Sequence, residues 1–369
     1  MADDADDRRW MALALRLARS AIGDTAENPP VGCVLVRDGR VVGRGRTGST
    51  GRPHAEAVAL AQAGDLARGA TAFVTLEPCA HHGRTPPCAD ALVAAGIVRV
   101  VAAIGDPDPR VDGGGFATLR RAGISVSVGV AAHQAAAGAI GFLSRVQGAR
   151  PFVTLKLATS LDGRIATASG ASRWITGTVA RRHAHTVRAR QDAILVGIGT
   201  ALADDPALTC RTPGLEGRSP VRVVLDSGLR LPVGSGLAQT ARSVPTWNVT
   251  SIDADADRTR ALTDLGVEII AAARDGDGRL NVTSVLAELA GRGIGRVLVE
   301  GGAAVARSFV AADAVDEVLW YRAPMLIGGD GRPALDTLGV ATPEGAPRFE
   351  RIDCVSLDAD MLETYRRRP

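Results

Sequence analysis

Short apolar segments alternate with segments of helical periodicity along most of the chain. In the first half, VGCVLV and VRVVAAIG are predicted to be strands, and HAEAVALAQAG and CADALVAAG are predicted to be helices. Strands that alternate with helices pack in layers, because each helix covers part of a sheet face. The alternation therefore predicts an α/β layered fold.

This alternation is interrupted once, around Gly148-Ala149-Arg150-Pro151, and then begins again with the apolar segment FVTLKLATSLDG. A chain of 369 residues is also too long for one ordinary hydrophobic core. The two halves show no internal repeat. We therefore predict two different domains, residues 1–147 and 148–369.

Three segments of the first half have less regular patterns. TAFVTLEP is predicted to be a strand, and AAHQAAAGAIGFLSRV is predicted to be helical. GRGRTG, from Gly43 to Gly48, has the glycine spacing of a dinucleotide-binding loop. Because it leads into Pro53 and does not open a helix directly, we predict a turn.

Composition places the chain among globular proteins and limits its partners. Hydrophobic residues make up 46% and charged residues 22%, and the net charge of +3 comes without a dense basic run that would bind nucleic acid. No apolar run approaches the roughly 18 residues that span a bilayer, and the acidic N-terminus lacks a signal core. The five cysteines are sparse and odd in number, which favours reduced thiols and a cytoplasmic location.

Potential metal ligands cluster between His54 and Cys88. PHAEAVAL places Glu56 two residues after His54, and EPCAHHGRTPPCAD supplies Cys79 and Cys88. Catalytic zinc sites use three protein ligands and leave a fourth position for water. His54, Cys79 and Cys88 are predicted to hold one zinc ion, with Glu56 as general acid/base. Because Glu56 is two positions from His54, both reach one centre only if the metal lies off the helix's N-terminal end.

The pattern H-A-E followed by E-P-C is typical of zinc nucleobase deaminases, although here the longer segment AHHGRTPP separates the cysteines. A structural zinc site, with His81 or His82 as fourth ligand, is the alternative. Cys33 lies in an apolar strand and is predicted to be a core residue. The remaining histidines are predicted to be surface or packing residues: His133, His183 and His185.

The second half contains several weak ligand-binding signals. KLATSLDGRIATASGASRWITG is rich in small residues, which let a ligand approach the backbone closely. AILVGIGTALADDPALTCR places a loop after a strand, where α/β proteins bind ligands. RVLVEGGAAVARSF predicts a strand, a glycine turn and a helix whose N-terminus can hold a phosphate. Together these segments suggest a nucleotide pocket.

Motifs in both halves resemble those of one family. PCAHHGRTPPC and NPPVGCVLV resemble the deaminase half of the bifunctional riboflavin-biosynthesis deaminase–reductases, and KLATSLDG, SRWITG, DDPALT and LVEGG resemble the reductase half. The resemblance covers nearly the whole chain. It implies an N-terminal cytidine-deaminase-like α/β/α sandwich and a C-terminal dihydrofolate-reductase-like α/β domain. It also implies zinc, NADPH and a homo-oligomer.

For the deaminase half, the resemblance implies the zinc ligands and the general acid/base given above. It also implies three contacts to the substrate base and its phosphorylated ribose: Asn28, His81 and Arg84. Many members carry a histidine after the G-x-G of the preceding strand, where this chain has Arg46 and Thr47.

For the reductase half, the resemblance implies one set of residues for each ligand. NADPH would be lined by Ala158, Trp174, Thr200, Asp204, Ser227, Gly302, Ala303, Ala304, Val305, Ala306, Arg307 and Ser308. The phosphoribosyl substrate would be held by Ser172, Arg188, Leu208, Arg211 and Glu300. Lys156 is added to this set as our own hypothesis, and the alternative is that it only caps a strand. Lys156 is the only lysine in the chain, and we expect it to contact the substrate near the reacting sugar carbon.

The expected activity is hydrolytic deamination of a diaminopyrimidine ribosylamino phosphate, followed by NADPH-dependent reduction of the ribosyl chain to ribityl. The alternative is a zinc deaminase of another nucleobase or nucleoside, joined to a reductase-like domain that is non-catalytic or of different specificity. A deaminase of nucleic-acid bases would need stacking surface, and only 3% of the residues are aromatic. A non-enzymatic zinc-binding module is a further alternative, which release of ammonia from a pyrimidine would exclude.

Overall fold

The computed structural model describes residues 2–81 and 86–368. The chain divides into two compact units, Met1–Ala149 and Arg150–Pro369. Within the described residues, no helix is both long and apolar enough to cross a membrane.

The first unit is built around a five-stranded sheet in the order β2-β1-β3-β4-β5. Its elements are α1 (Ala2–Ala21), β1 (Gly32–Arg37), β2 (Arg40–Arg46), α2 (Ala55–Ala63), β3 (Thr71–Val74), α3 (Cys88–Ala94), β4 (Arg99–Ala102), α4 (Gly114–Arg121), β5 (Ser125–Val128), α5 (Ala132–Gly138) and α6 (Ile140–Gly148). β1 is antiparallel to β2 and to β3, whereas β3, β4 and β5 are parallel.

Alternating residues of β1 supply two hydrophobic cores, one on each face of this sheet. Cys33 and Leu35 belong to one core, and Val34 and Val36 belong to the other. Because successive side chains of a strand point to opposite faces, an apolar run such as VGCVLV is buried on both sides. The prediction that Cys33 is a core residue is confirmed, since its side chain is fully buried.

Three local predictions need correction. The strand predicted for TAFVTLEP ends at Val74, because the chain then leaves the ladder before Pro78, which has no N–H for a strand hydrogen bond. The helix predicted for AAHQAAAGAIGFLSRV is divided at Ala139 into α5 and α6, next to the poor helix former Gly138. The turn predicted at Gly43 is wrong, because β2 continues through this segment to Arg46.

The second unit is built around a nine-stranded sheet in the order β11-β10-β9-β8-β12-β6-β13-β16-β15. Its elements are β6 (Phe152–Thr159), β7 (Arg164–Ala166), α7 (Thr178–Arg188), β8 (Ala193–Gly197), α8 (Ile198–Asp204), β9 (Val221–Leu225), α9 (Gly236–Gln239), β10 (Thr246–Thr250), α10 (Ala256–Asp264), β11 (Glu268–Ala271), α11 (Val282–Gly291), β12 (Arg296–Val299), α12 (Ala303–Ala311), β13 (Glu317–Arg322), β14 (Arg332–Pro333), β15 (Phe349–Leu357) and β16 (Asp360–Arg367).

The seven neighbouring strands β11, β10, β9, β8, β12, β6 and β13 are parallel. The hairpin β15–β16 extends the sheet beyond β13 with antiparallel pairing. β8 is buried along its whole length, because hydrophobic cores lie on both of its faces. β12 lies between β8 and β6, so the carboxyl ends of these three strands meet at one edge of the sheet. This is where open parallel sheets bind ligands. The α/β class predicted from the alternation is confirmed in both units.

Candidate active sites

Close packing of α2 on β2 sets the position of His54 and Glu56. A Cβ atom on Gly43 or Gly45 would lie 2.2 Å from a backbone oxygen of α2, so glycine is required for this approach. His54 is the N-cap residue of α2, and Glu56 lies in its first turn with 4% of its surface exposed. Both side chains are therefore held at the N-terminal end of one rigid helix.

Two other segments of the chain bring the cysteines close to His54. Cys79 lies in the loop after β3, and Cys88 is the first residue of α3. Nδ1 of His54 is 3.6 Å from Sγ of Cys79 and 3.3 Å from Sγ of Cys88. One ligand atom from each residue lies within 4.8 Å of the others, so this Cys₂His set could hold a metal ion.

The chemistry of the donors fits zinc. The backbone N–H of Cys88 donates to Sγ of Cys79 at 3.3 Å. Hydrogen bonds from the Cys88 thiol and from His54 lower the pKa of Cys79 to about 4, although burial of Cys79 opposes this shift. The hydrogen bond that Cys88 makes to Cys79 raises the pKa of Cys88, and burial raises it further. The cluster thus holds one thiolate beside a thiol proton that a cation would replace.

His81 is not part of this set among the described residues. Its Nδ1 is buried and has no hydrogen-bond partner in the described part of the chain. His82 and Arg84 lie outside the described residues. Within the described residues, the cluster thus has the three-ligand composition of catalytic zinc sites.

A cavity of about 400 Å³ opens beside the cluster. Its lining includes Asn28, His54, Glu56, Cys79 and His81, and Cys88 joins them through the metal-ligand cluster, so the structure brings the described deaminase-site residues together. Burial, partly offset by a backbone hydrogen bond and by His54, raises the pKa of Glu56 to about 7. A carboxyl with such a pKa can accept and return a proton near neutral pH.

Asn28 enters this cavity because the backbone opposite carries no side chain. Gly51 has a φ of +89°, and a Cβ atom there would lie 2.1 Å from Nδ2 of Asn28. Thr47 also lines the cavity, but its hydroxyl is engaged by the backbone: it accepts from the N–H of Val31 and donates to the carbonyl of Pro29, both at 2.9 Å. Thr47 therefore stabilises the loop that carries Asn28.

Several polar residues of this cavity were missed in the sequence. Asp106 and Asp108 are buried, and Asp108 forms a bidentate ion pair with Arg110. Glu77 accepts hydrogen bonds from the N–H groups of Asp106, Gly113 and Phe116, which ties the loop before Cys79 to the start of α4. The signal available was the polar segment DPDPR, which begins four positions after the last residue of β4, beyond the carboxyl end of the strand.

In the second unit, a largely buried ion-pair network joins β6, α7 and the residue that follows β12. Glu300 accepts from Nε and Nη2 of Arg188 at 2.8 and 2.9 Å, and Nζ of Lys156 is 3.7 Å from its Oε2. Burial opposes ionisation of Glu300, but the two cations outweigh it and lower its pKa to about 2. Nζ of Lys156 also lies 5.8 Å from the ring centre of Tyr321. Three residues predicted to hold the reductase substrate are thus in contact.

The loop between α8 and β9 adds Leu208 and Arg211. Leu208 is buried with a φ of +52°, and Arg211 is exposed next to His185 of α7. His183 was also predicted to be a surface or packing residue, yet its Nδ1 lies 2.8 Å from Oη of Tyr321. Helical spacing alone did not reveal that both histidines face polar partners.

The residues predicted to bind NADPH lie mainly at the carboxyl ends of neighbouring strands. Thr200 and Asp204 are in α8 directly after β8, and Oγ1 of Thr200 would lie 3.7 Å from a Cβ atom on Gly302. Gly302 is the N-cap residue of α12, so the segment Gly302 to Ser308 forms a helix N-terminus. Ala158 is in β6, and Ser227 follows β9. Ser172 and Trp174 lie before α7, where Trp174 is 66% exposed and packs under Arg181.

Family comparisons agree with this division of chemistry. A family model described as "Cytidine and deoxycytidylate deaminase zinc-binding region" matches residues 4–104, and one described as "RibD C-terminal domain" matches residues 151–362. The first unit is therefore a zinc-binding deaminase domain with a cytidine-deaminase-like fold, and the second is a RibD-type reductase domain.

Similar proteins cover nearly the whole chain. Riboflavin biosynthesis protein RibD of Escherichia coli strain K12 is 42% identical over 93% of this chain and 95% of its own, and that of Bacillus amyloliquefaciens is 44% identical over 88% and 86%. The solved structure of Acinetobacter baumannii RibD has a TM-score of 0.90 and 37% identity, over 99% of this chain and 100% of that one. The deaminase/reductase of Thermotoga maritima has a TM-score of 0.86 and 36% identity, over 99% of both. This chain belongs to the RibD family of bifunctional riboflavin-biosynthesis enzymes, as its motifs predicted.

Proposed function

We propose that the first domain deaminates 2,5-diamino-6-ribosylamino-4(3H)-pyrimidinone 5′-phosphate, with His54, Cys79 and Cys88 as ligands of one zinc ion. The observation that carries this proposal is the position of Glu56, buried in the same cavity as the three-ligand cluster. The name of the Thermotoga maritima relative describes a diaminohydroxyphosphoribosylaminopyrimidine deaminase, which supports the substrate class.

Bound zinc would polarise the attacking water. Glu56 takes a proton from that water and delivers it to the exocyclic amine, which leaves as ammonia. Asn28 and His81 orient the pyrimidine within the cavity, and Arg84 binds the phosphorylated ribose. The raised pKa of Glu56 suits a group that must be deprotonated at one step and protonated at the next.

The second domain is proposed to reduce the ribosyl chain of the deaminated product to ribityl with NADPH. NADPH supplies the hydride. The proposed cofactor residues are Ala158, Trp174, Thr200, Asp204, Ser227 and the segment Gly302, Ala303, Ala304, Val305, Ala306, Arg307 and Ser308. The proposed substrate residues are Lys156, Ser172, Arg188, Leu208, Arg211 and Glu300. The Lys156–Glu300–Arg188 network supports the second assignment, because its carboxylate, directly after β12, orients one cation from β6 and one from α7.

Mass analysis of products tests both steps. We expect the purified protein to convert an amino to an oxo group without cofactor, and to add two hydrogens only when NADPH is present. Glu56→Gln should retain zinc, lose deamination and still reduce the deaminated intermediate. Deamination without reduction would refute the reductase proposal. If the zinc-loaded protein leaves the pyrimidine unchanged, the proposed identity of the deaminase substrate is wrong. NADH in place of NADPH measures the cofactor preference.

We also propose a homo-oligomer, domains at residues 1–147 and 148–369, and a cytoplasmic location. β15 supports the oligomer, because this edge strand is solvent-accessible on both faces and exposes Ile352 and Val355. Light scattering after gel filtration measures the mass in solution. A monomer at micromolar concentration would refute the assembly, and Ile352→Lys should weaken it if β15 lies in the interface.

A further inference from the structure

His185 lies against one of the arginines proposed to hold the substrate. It is in the last turn of α7, and its Nδ1 is 3.1 Å from the carbonyl oxygen of Thr209. Its Nε2 is 3.4 Å from Nε and 3.3 Å from Nη2 of Arg211. The imidazole thus joins the helix to the loop that carries Arg211.

These two partners determine which ring nitrogen carries the proton. A carbonyl oxygen can only accept, so Nδ1–H donates to Thr209. A guanidinium has only donors, so Nε2 must offer its lone pair to Arg211. The ring is therefore neutral, in agreement with a pKa that is lowered by burial and by Arg188 and Arg211, against the opposing effect of Glu300.

The same carbonyl oxygen connects this pair to the buried network. Thr209 also accepts from Nη1 of Arg188 at 3.1 Å, and Arg188 is bound to Glu300 on its other side. Glu300 and Arg188 are mostly buried, with 8% and 15% of their side chains exposed, and are held by several hydrogen bonds, whereas Arg211 is exposed. Rigidity therefore extends from the buried ion pair through Thr209 and His185 to the exposed guanidinium.

We propose that His185 is a positioning residue, which orients Arg211 towards the 5′-phosphate of the reductase substrate. This inference rests on the proposed function, in which Arg211 holds the phosphoribosyl group. An exposed arginine samples many rotamers, and ordering them opposes binding. An acceptor that already fixes the guanidinium reduces this cost, so His185 acts on KM for the phosphorylated substrate and not on hydride transfer.

The test compares KM for the phosphorylated reductase substrate with KM for its dephosphorylated ribosylamino analogue. Measurements at about pH 8 keep a phosphate monoester dianionic, since its second pKa is about 6. His185→Ala should raise KM for the phosphorylated substrate about fivefold, the effect of one hydrogen bond, and leave KM for the analogue and kcat unchanged. His185→Gln should restore KM to within about twofold, because its amide oxygen can accept from Arg211.

Two further variants separate the possible failures. Arg211→Met should raise KM for the phosphorylated substrate by about tenfold or more and so remove the preference for it over the dephosphorylated analogue. Arg182→Ala removes an exposed charge from the same helix and should leave the preference unchanged. The kcat of each variant for the dephosphorylated analogue reports on the integrity of the reductase domain, and the deaminase rate reports on the first domain.

Three outcomes would overturn the inference. If Arg211→Met removes the preference and His185→Ala does not, His185 does not position Arg211. If His185→Ala raises both KM values equally, or lowers kcat without changing the preference, its role is structural. If Arg211→Met itself leaves the preference unchanged, the assignment of Arg211 in the proposed function fails as well.

Discussion

Replacement of Glu300 by glutamine should destabilise the reductase domain by about 3 kcal/mol at neutral pH. The carboxylate is only 8% exposed and binds Arg188 through two hydrogen bonds, with Lys156 nearby. Its pKa is lowered from 4.5 to about 2, and each pKa unit corresponds to about 1.36 kcal/mol. The resulting figure lies within the roughly 3–5 kcal/mol expected when one partner of a buried ion pair is removed.

The variant is measured by urea unfolding followed through tryptophan fluorescence, because three of the four tryptophans, Trp174, Trp247 and Trp320, lie in the reductase domain. A probe of this domain is needed, since a two-domain chain need not unfold in one step. Glu288→Gln is the matched control: its pair with Arg292 is 41% exposed at the glutamate, so the cost should stay below about 1 kcal/mol.

The pH dependence of this difference follows from the direction of the pKa shift. A carboxyl whose pKa is lower in the folded than in the unfolded state stabilises the folded state at any pH above its unfolded-state pKa. This stabilisation is lost as the pH falls through its folded-state pKa. The difference between parent and Glu300→Gln should therefore be constant from about pH 7 to about pH 5, and decrease below about pH 4.5 towards pH 2. If Glu300→Gln lowers the free energy of unfolding by no more than Glu288→Gln does, the ion-pair reasoning is refuted. A stability difference between parent and Glu300→Gln that grows on acidification would also refute it.

Three other changes test the packing and the chemistry. Glu56→Gln should lower the deamination rate by about 10²- to 10⁴-fold with zinc content unchanged, which metal analysis and ammonia release measure; loss of zinc would contradict the assigned role. Gly45→Ala should displace α2, cost about 1–3 kcal/mol and weaken zinc binding, whereas Gly148→Ala, which meets no neighbour, should not. Arg222→Met should cost about 3 kcal/mol or more in the reductase domain, because the buried guanidinium satisfies carbonyls of three residues; an unchanged denaturation midpoint would refute this.

The deaminase cluster could be predicted from the sequence because its ligands are local and chemically unusual. His54 and Glu56 share one helix end, and the two cysteines are only nine positions apart in the sequence. The surroundings could not be predicted in the same way. The glycines of GRGRTG suggested a turn, because a sequence does not show that a helix packs on them at 2.2 Å. The sequence around Asp106 matches no metal-binding or nucleophile motif. Asp106 lies in the same cavity as the cluster only because β4 pairs with β3 in the sheet.

The reductase site is harder to predict because long stretches of chain separate its parts. Lys156, Arg188 and Glu300 meet only because β12 inserts between β8 and β6 in the sheet. The periodicity of the sequence does not predict that strand order. Arg188 and Glu300 were therefore identified only through the resemblance to the family, and the strand order explains why they are in contact. The β15–β16 hairpin was not predicted either, because an edge strand exposed on both faces lacks the alternation that marks a half-buried strand.

The charges of this site also separate the two ends of its proposed substrate. Glu300 is ionised and buried, so a phosphate placed beside it would face a carboxylate in a region of low dielectric. Arg211 stands at the exposed end of the network, with a neutral histidine as its contact, and can meet a dianion without that repulsion. Lys156 remains beside Glu300 at the buried end, where a sugar hydroxyl or ring oxygen can accept from its ammonium. This distribution favours a bound substrate with its phosphate at Arg211 and its reacting sugar carbon near Lys156.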